Sequence, residues 1–233
     1  IQETEPVMNT PSPLLSIDEA RALYAQGDAA HDFDHVLRVA DLAELLAREV
    51  GADVAVVQAA AYLHDVPVTL RGEDSPGRGM ARRVHHLAAA DFARDFLARR
   101  GVGNQTIEAV VHCIEAHRFR DQSIMPETLE AQCLYDADKL DSMGAIGVAR
   151  AFAFAGAHDS RLWTESWRSA PGHAERPRGA DYTPVHEYVY KLQRLYATLH
   201  TASARRIGAQ RHAFMEIFFD QLDAEMTGDQ PVR

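Results

Sequence analysis

The sequence predicts an all-α protein on two observations. Alanine-rich segments in which apolar residues recur at the helical period dominate the chain, and no stretch alternates apolar and polar residues over strand length. The chain has 233 residues, 46% of them hydrophobic, so it can bury a sizeable core. We therefore expect one large helical domain, or a helical domain with a helical extension.

Composition and charge exclude several classes of function. The formal net charge of -10 argues against a protein that wraps nucleic acid with a broad basic surface. No run of 18 apolar residues is present, and the start lacks a basic region followed by an apolar one, so we expect neither a membrane span nor a secretory signal. Cys113 and Cys133 fit no disulfide framework or zinc-knuckle spacing, which predicts reduced thiols in a cytoplasmic protein.

The order of the predicted helices follows from apolar periodicity and from their end signals. Residues 1–15 are expected to form a disordered lead-in, with Met8 as a candidate natural start. Asp34 is expected to cap a helix that begins at His35 and ends before Gly51. Glycine- and proline-rich residues 67–80 predict a loop that is well placed to act as a lid. The predicted helices are 16–27, 35–50, 53–66, 82–100, 106–117, 130–155, 184–199 and 203–226.

The third predicted helix carries the residues around which the chain is organised. An apolar face runs through Val57 and Ala61 to His64, and Asp65 is the next position on that face. Because Pro67 disfavours helical geometry in the residue before it, His64 and Asp65 are expected in the last turn. An unpaired carboxylate that faces an apolar interior at the negative end of a helix dipole is costly. A bound cation would remove both costs; a structural His-Asp pair, or an Asp65 that reaches solvent, is the alternative.

Other candidate metal ligands lie on two further helices. His35 stands at the start of one, and Asp136, Asp138 and Asp141 lie on another. Two imidazoles and two carboxylates from three helices suit Mn²⁺, Fe²⁺, Ni²⁺, Co²⁺, Zn²⁺ or Mg²⁺, and leave octahedral positions for water and a substrate oxygen. Since each helical residue advances by about 100°, Asp136 points away from the other two aspartates. Asp138 and Asp141 lie within about 60° of each other, so both are candidates for the fourth ligand.

The order of His, His-Asp and Asp resembles the HD superfamily of metal-dependent phosphohydrolases. Within it, six pieces of sequence in register over residues 16–228 are similar to the bacterial YedJ/YpgQ-like branch. Five of them are residues 31–39, 61–66, 85–90, 136–141 and 144–150. The sixth is a C-terminal series made of His186, Lys191, Leu192, Thr201, Arg211, Phe214, Met215 and Phe218. Val68 and Thr69 stand where alarmone hydrolases carry an acidic pair, and no Gly-Tyr-Pro segment of the cyclic-di-GMP type is present.

The resemblance implies an HD-domain helical bundle over residues 16–155, with a C-terminal helical extension over 156–228 packed on it. It implies one divalent metal ion per chain, held by four ligands: His35, His64, Asp65 and Asp138. Asp141 then orients a ligand or a substrate contact. The implied reaction is hydrolysis of a nucleoside triphosphate to a monophosphate and pyrophosphate.

Further side chains are candidates for phosphate binding and proton transfer. The phosphate-binding candidates are His31, Arg38, Lys139, Lys191 and Arg211. The catalytic candidates are Asp65, His86 and His117, with the two histidines as general acids or as supports of a ligand. Structural alternatives stay open, because Arg38 could pair with an aspartate, and Lys191 and Arg211 could hold the last two helices to the core. His85 and His112 are expected to be structural or at the surface.

Two other functions stay open at this point. One is a phosphomonoesterase or 5′-nucleotidase that uses the same metal, and the other is a nucleotide-binding sensor with negligible turnover. A complete set of ligands weighs against the sensor. The histidines and aspartates would also allow a second metal ion. We expect a small phosphorylated partner, no nucleic acid, and a homodimer as one candidate assembly.

Overall fold

The computed structural model describes residues 14–24, 33–67, 78–119, 123–170 and 176–229, with residues 78–84 described by their backbone alone. Throughout these ranges the regular structure is helical, and no strand is present in them. The prediction of an all-α fold is confirmed. No helix in the described ranges is long and apolar enough to cross a membrane.

Helices follow one another along the whole described chain. The α-helices are α1 (Ile17–Tyr24), α2 (Phe33–Val50), α3 (Val54–Leu63), α4 (Arg78–Arg99), α5 (Asn104–Ala116), α6 (Leu129–Asp141), α7 (Gly144–Ala157), α8 (Pro184–Glu187), α9 (Gln193–Leu195) and α10 (Ala202–Thr227). A 3₁₀ turn at Gly179–Asp181 precedes α8, a π-helical turn at Tyr188–Leu192 joins α8 to α9, and a 3₁₀ turn at Tyr196–Thr198 follows α9.

The bundle that positions the candidate site is built from α2 to α6. Helix α2 packs on α3 and α6, and α5 packs on α3, α4 and α6. Fully buried alanines such as Ala43, Ala60 and Ala137 stand on these helices, and their small side chains let the backbones approach closely. Larger side chains such as Leu46 and Ile114 are also fully buried, and each stabilises the fold by about 1.5–3 kcal/mol.

The C-terminal helices pack on this bundle. Helix α10 contacts α6 and α7, and Phe219 on α10 is fully buried. Its ring stacks on Tyr188 with 4.2 Å between the ring centroids. At the start of α10, Ser203 and Arg206 both bond to Glu49 on α2. The extension is therefore anchored to the bundle by apolar packing and by polar contacts.

The starts of α2 and α4 are among those that differ from the prediction. Helix α2 begins at Phe33, so Asp34 lies inside its first turn and does not cap it. Phe33 is 9% exposed and its ring lies 5.4 Å from that of Tyr24, so tertiary packing extends the helix beyond the polar start signal. Helix α4 likewise begins at Arg78 and not at Arg82.

The helix predicted over residues 130–155 is two helices. Helix α6 ends at Asp141, and α7 begins at Gly144, which has a φ of +71°. A Cβ atom at Gly144 would lie 3.0 Å from Cγ of Arg211. Glycine is required there because it permits both the left-handed backbone and the close approach of α10. The helix predicted over 184–199 is also interrupted, by the π-helical turn.

Parts of two predictions lie outside the described residues. These are the lead-in over residues 1–13, and residues 68–77 of the proposed lid. At the end of the predicted lead-in, Leu15 is 1% exposed and belongs to the core.

Candidate metal centre

A cluster of imidazoles and carboxylates lies where the ends of several helices meet. His35 is in the first turn of α2, His64 follows the last residue of α3 and precedes Asp65, and His117 follows the last residue of α5. Asp138 is on α6. Helix α3 ends at Leu63, so the prediction that His64 and Asp65 occupy its last turn is wrong by two residues. His64 keeps helical dihedrals (φ -64°, ψ -33°), and the chain leaves the helix only beyond it.

His64 presents a lone pair to the centre of the cluster. Its side chain is fully buried, and Nδ1 lies 2.8 Å from the carbonyl oxygen of Ala61. A carbonyl oxygen only accepts hydrogen bonds, so Nδ1 carries the proton and Nε2 of the neutral ring does not. Nε2 is buried without a hydrogen-bond partner, 3.6 Å from Oδ2 of Asp65.

His117 repeats this arrangement at the end of α5. Its Nδ1 donates to the carbonyl oxygen of Ile114 at 2.5 Å, again three residues back along the chain. Its ring lies 5.2 Å from that of His64, edge to face. Burial, and next the proximity of His64, lower the pKa of His117 to about 3. The same carbonyl contact therefore fixes the same tautomer in both rings.

His35 is fixed in its tautomer by a carboxylate. Its Nδ1 donates to Oδ2 of Asp141 at 2.6 Å. Its Nε2 lies 3.5 Å from Oδ1 of Asp138 and 3.9 Å from Oδ2 of Asp65. The structure thus brings His35, His64, Asp65 and Asp138 together, with both imidazoles turned to the carboxylates through Nε2.

The donors of this cluster fit a divalent metal ion. One ligand atom each from His35, His64 and Asp65 lie within 4.8 Å of one another. Lone pairs of buried imidazoles that face carboxylates repel, and an unpartnered buried nitrogen costs about 1–3 kcal/mol. A divalent cation between them would remove both costs, and imidazole with carboxylate suits Mn²⁺, Fe²⁺, Co²⁺, Ni²⁺ or Zn²⁺.

Asp65 lies between this group and a second one. Its Oδ1 is 3.3 Å from Nε2 of His85, and ligand atoms of Asp65, His85 and His117 also lie within 4.8 Å of one another. Burial raises the pKa of Asp65, whereas a proton on the surrounding imidazoles, His64 first, would lower it well below its usual range. The two oxygens of this carboxylate therefore face two different sets of histidines.

Asp138 is held beside a lysine. Lys139 Nζ contacts its Oδ2 and lies 5.1 Å from the ring centroid of Tyr135. Burial opposes ionisation of Asp138, but Lys139 and then His35 outweigh it and lower its pKa. Lys139 is 7% exposed, so its ammonium group is a buried positive charge at the edge of the cluster.

Asp141 supports His35 from behind. Besides His35, this fully buried carboxylate accepts from Arg38 through Nε at 2.7 Å and through a terminal nitrogen at 3.2 Å. Arg150 donates to its Oδ2 at 3.3 Å. Burial opposes ionisation, but the hydrogen bonds from His35 and Arg38 lower the pKa of Asp141 to about 2. Arg38 thus pairs with an aspartate, which was the structural alternative to its predicted role in phosphate binding.

Two other phosphate-binding candidates, both on the C-terminal helices, are engaged in contacts with other residues of the protein. Arg211 donates to the carbonyl oxygen of Leu140, at the end of α6. Lys191 Nζ lies 3.0 Å from Oε1 of Glu187, one helical turn away. These contacts favour the structural alternative for both residues. His31 lies outside the described residues.

Some residues lie closer to the site than the sequence indicated, and one residue near it was not predicted at all. His85 was expected to be structural or at the surface; its side chain is 37% exposed, and its Nε2 lies 3.3 Å from Oδ1 of Asp65. Its neighbour His86 is 3% exposed, with its ring 6.3 Å from that of His117. Arg150 was not predicted to be near the site. The His85-His86 doublet was a usable signal, whereas the approach of Arg150 depends on the break between α6 and α7.

The remaining polar residues of the prediction lie in other contacts. Asp136 accepts from the backbone nitrogens of His200 and Thr201, at 2.8 and 2.7 Å. His112 accepts from the backbone nitrogen of Glu127 at 3.2 Å. Asp136 thus points away from the cluster, as the helical period predicts, and holds the segment that leads into α10.

Comparison with known proteins gives concordant matches. The HD domain family matches residues 32–143, a segment that contains every residue of the candidate metal centre. Uncharacterized protein YpgQ of Bacillus subtilis is 32% identical over 216 residues, covering 89% of this chain and 90% of that protein. The crystal structure of Bacillus subtilis YpgQ in complex with ADP has a TM-score of 0.68 at 28% identity, covering 92% of this chain and 100% of that one.

A second solved structure extends the comparison. It is a HD-superfamily hydrolase from Bacillus thuringiensis, with a TM-score of 0.65 at 25% identity, covering 91% of this chain and 94% of that one. Sequence and structure thus agree over nine tenths of the chain and not only over the segment that carries the cluster. The chain belongs to the HD-domain family.

Proposed function

We propose that the protein is a metal-dependent phosphohydrolase of nucleotides, and that it converts nucleoside triphosphates to monophosphates and pyrophosphate. The observation that carries the proposal is the buried, unpartnered Nε2 of His64, which faces the carboxylate of Asp65. Two comparisons support the substrate class and the reaction. YpgQ has been crystallised with ADP, and the Bacillus thuringiensis protein is named a hydrolase.

In this proposal one divalent ion, such as manganese, is held by the four predicted ligands: His35, His64, Asp65 and Asp138. When bound, such an ion makes water a better nucleophile and neutralises charge on a phosphoryl oxygen. Asp141 keeps Nε2 of His35 directed to the centre by holding Nδ1. The group of Asp65, His85 and His117 offers a place for a second ion, so the measured metal content per chain is part of the test.

The protein side chains divide the remaining work. Oδ2 of Asp65 faces His35 and His64, whereas Oδ1 faces His85, so the same carboxylate can bind on one side and accept a proton from water on the other. His117 and His86 close the cluster on the side of α4 and α5. The ammonium group of Lys139 beside Asp138 is placed to neutralise a phosphate oxygen.

We also place this activity in the cytoplasm. Cys113 and Cys133 are both buried and free. Burial raises the pKa of both thiols, so they stay protonated and poorly reactive. This pair supports a protein that works without disulfides.

The test is a product analysis after defined metal loading. The purified protein is stripped of metal, reloaded separately with Mn²⁺, Fe²⁺, Co²⁺, Ni²⁺, Zn²⁺ or Mg²⁺, and incubated with a panel of nucleotides. We expect monophosphate and pyrophosphate from triphosphates, only with metal. Phosphate as the sole early product, or activity confined to monophosphates, would assign a phosphomonoesterase or 5′-nucleotidase. Nucleotide binding without turnover under any metal would assign a sensor.

A further inference from the structure

A separate cavity lies between the end of α5 and the segment that joins α9 to α10. Its volume is about 290 Å³, and residues 124–126 form one of its edges. The polar side chains that line it are Arg118, Tyr135, Thr198, His200 and Arg205. Among the described residues that line it, none is acidic. A chain with a net charge of -10 thus carries an open pocket lined by two guanidinium groups and an imidazole.

Arg205 has donors available for a ligand. Its Nε donates to the carbonyl oxygen of Leu199 at 2.9 Å, which fixes the orientation of the guanidinium group. The two terminal nitrogens make no hydrogen bond or ion pair with any described residue. An oriented guanidinium with free N–H groups matches the oxygens of a phosphate in geometry and in charge.

Another part of the cavity lining is held by contacts with buried residues of α6. The ring of His200 packs edge to face on Tyr135, with 4.9 Å between the ring centroids. The backbone nitrogens of His200 and Thr201 donate to the fully buried carboxylate of Asp136. Asp136 therefore fixes the segment that carries His200 and leads to Arg205.

The cavity adjoins the metal centre. Tyr135 lines the cavity, and the ammonium group of Lys139 lies 5.1 Å from the centroid of its ring. Lys139 in turn contacts Asp138. On α5, Ala116 lines the cavity and directly precedes His117. One layer of side chains thus links a basic pocket to the proposed metal ligands.

We propose that this cavity binds a phosphate group, either that of an extended nucleotide substrate or that of the released pyrophosphate. The terminal nitrogens of Arg205 are the principal donors, and His200 is a second contact. The assignment to substrate rests on the proposed function. The binding of phosphate itself does not, because it depends only on the residues of the cavity.

The first experiment measures binding of inorganic pyrophosphate to the metal-depleted protein by calorimetry, so that the metal centre does not contribute. We expect Arg205→Gln to weaken binding about tenfold or more, and His200→Ala to weaken it less. Arg206→Gln is the matched control, because Arg206 is the next residue on α10 but does not line the cavity and pairs with Glu49. Equal affinity in wild type and Arg205→Gln, or no binding to the wild type, overturns the proposal. Unchanged thermal melting of each variant shows that it folds.

The second experiment identifies the source of the phosphate by steady-state kinetics of the metal-loaded enzyme. A raised KM for triphosphates with retained kcat in Arg205→Gln assigns the cavity to the substrate. An unchanged KM with weakened pyrophosphate binding assigns it to free phosphate or pyrophosphate and overturns the substrate assignment. If neither the wild type nor any variant hydrolyses a nucleotide, the proposed function fails. The calorimetry alone then decides whether the cavity binds phosphate.

Discussion

His64 in the candidate metal centre and His186 in the C-terminal helices are both fully buried, yet their ring nitrogens have different surroundings. In His186, Nδ1 accepts from the backbone nitrogen of Thr183 at 3.1 Å, and Nε2 lies 3.0 Å from Oε1 of Glu165. Both nitrogens of that ring are therefore satisfied within the protein. In His64 only Nδ1 is satisfied, and Nε2 faces a carboxylate as a lone pair.

This difference separates a structural histidine from a candidate ligand. A buried polar group costs little when it is hydrogen-bonded, so His186 stabilises the junction before α8 without any further partner. The buried Nε2 of His64 has a cost that the fold does not remove. Both ring nitrogens of His186 therefore have their hydrogen-bond partners within the protein. The surroundings of His64, in contrast, are complementary to a cation.

The largest expected effect comes from removing the two proposed metal ligands that follow α3. His64→Ala and Asp65→Asn should each abolish metal retention and hydrolysis, because each removes one donor from the buried cluster. Elemental analysis of the purified variants and a nucleotide hydrolysis assay are the measurements. Full metal content in both variants would show that the ion is bound by other residues.

A smaller effect should separate Asp138 from Asp141. Asp138→Ala should lose metal and activity together, since its carboxylate faces Nε2 of His35. Asp141→Ala should keep most of the metal while activity falls about 10–100-fold, because Asp141 orients His35 through Nδ1 and is not itself a proposed ligand. Metal content and kcat are measured for both. An empty Asp141→Ala protein beside a loaded Asp138→Ala protein would reverse these two assignments.

The matched change at the satisfied histidine should affect stability alone. His186→Ala removes the partners of the Thr183 backbone and of Glu165, which should lower the free energy of unfolding by about 1–3 kcal/mol. Metal content per folded chain should equal that of the wild type. Chemical denaturation and elemental analysis test this; loss of metal in a folded His186→Ala protein would contradict the comparison.

The smallest effect is expected at Lys191. Its pair with Glu187 spans one turn near the surface, so Lys191→Met should change the free energy of unfolding by about 0.5 kcal/mol or less. KM for a nucleoside triphosphate should be unchanged. A KM raised tenfold in Lys191→Met would return this residue to the phosphate-binding set.

Most helices of this protein are predictable because their signals are local. Apolar periodicity places α3, α5 and α10 to within a few residues, and Gly51 and Gly101, both with positive φ, follow the ends of α2 and α4 as predicted. The break between α6 and α7 is not predictable in this way. Gly144 takes its positive φ where Arg211 of α10 packs against it, and apolar periodicity carries no information about that contact.

The sequence by itself determined the all-α class and the order of His35, His64, Asp65 and Asp138 along the chain, because helical period and residue order are properties of the chain. Only the tertiary structure decided which nitrogen of each ring faces the centre, because the carbonyl of Ala61 and the carboxylate of Asp141 select the tautomers.

Contacts between distant segments were likewise decided by packing alone. Helix crossings brought His85 to Asp65, Arg150 to Asp141, and Arg205 to a cavity beside Tyr135. Hydrogen bonds and ion pairs act over a few ångströms, and residues far apart in sequence reach that distance only after the helices have packed.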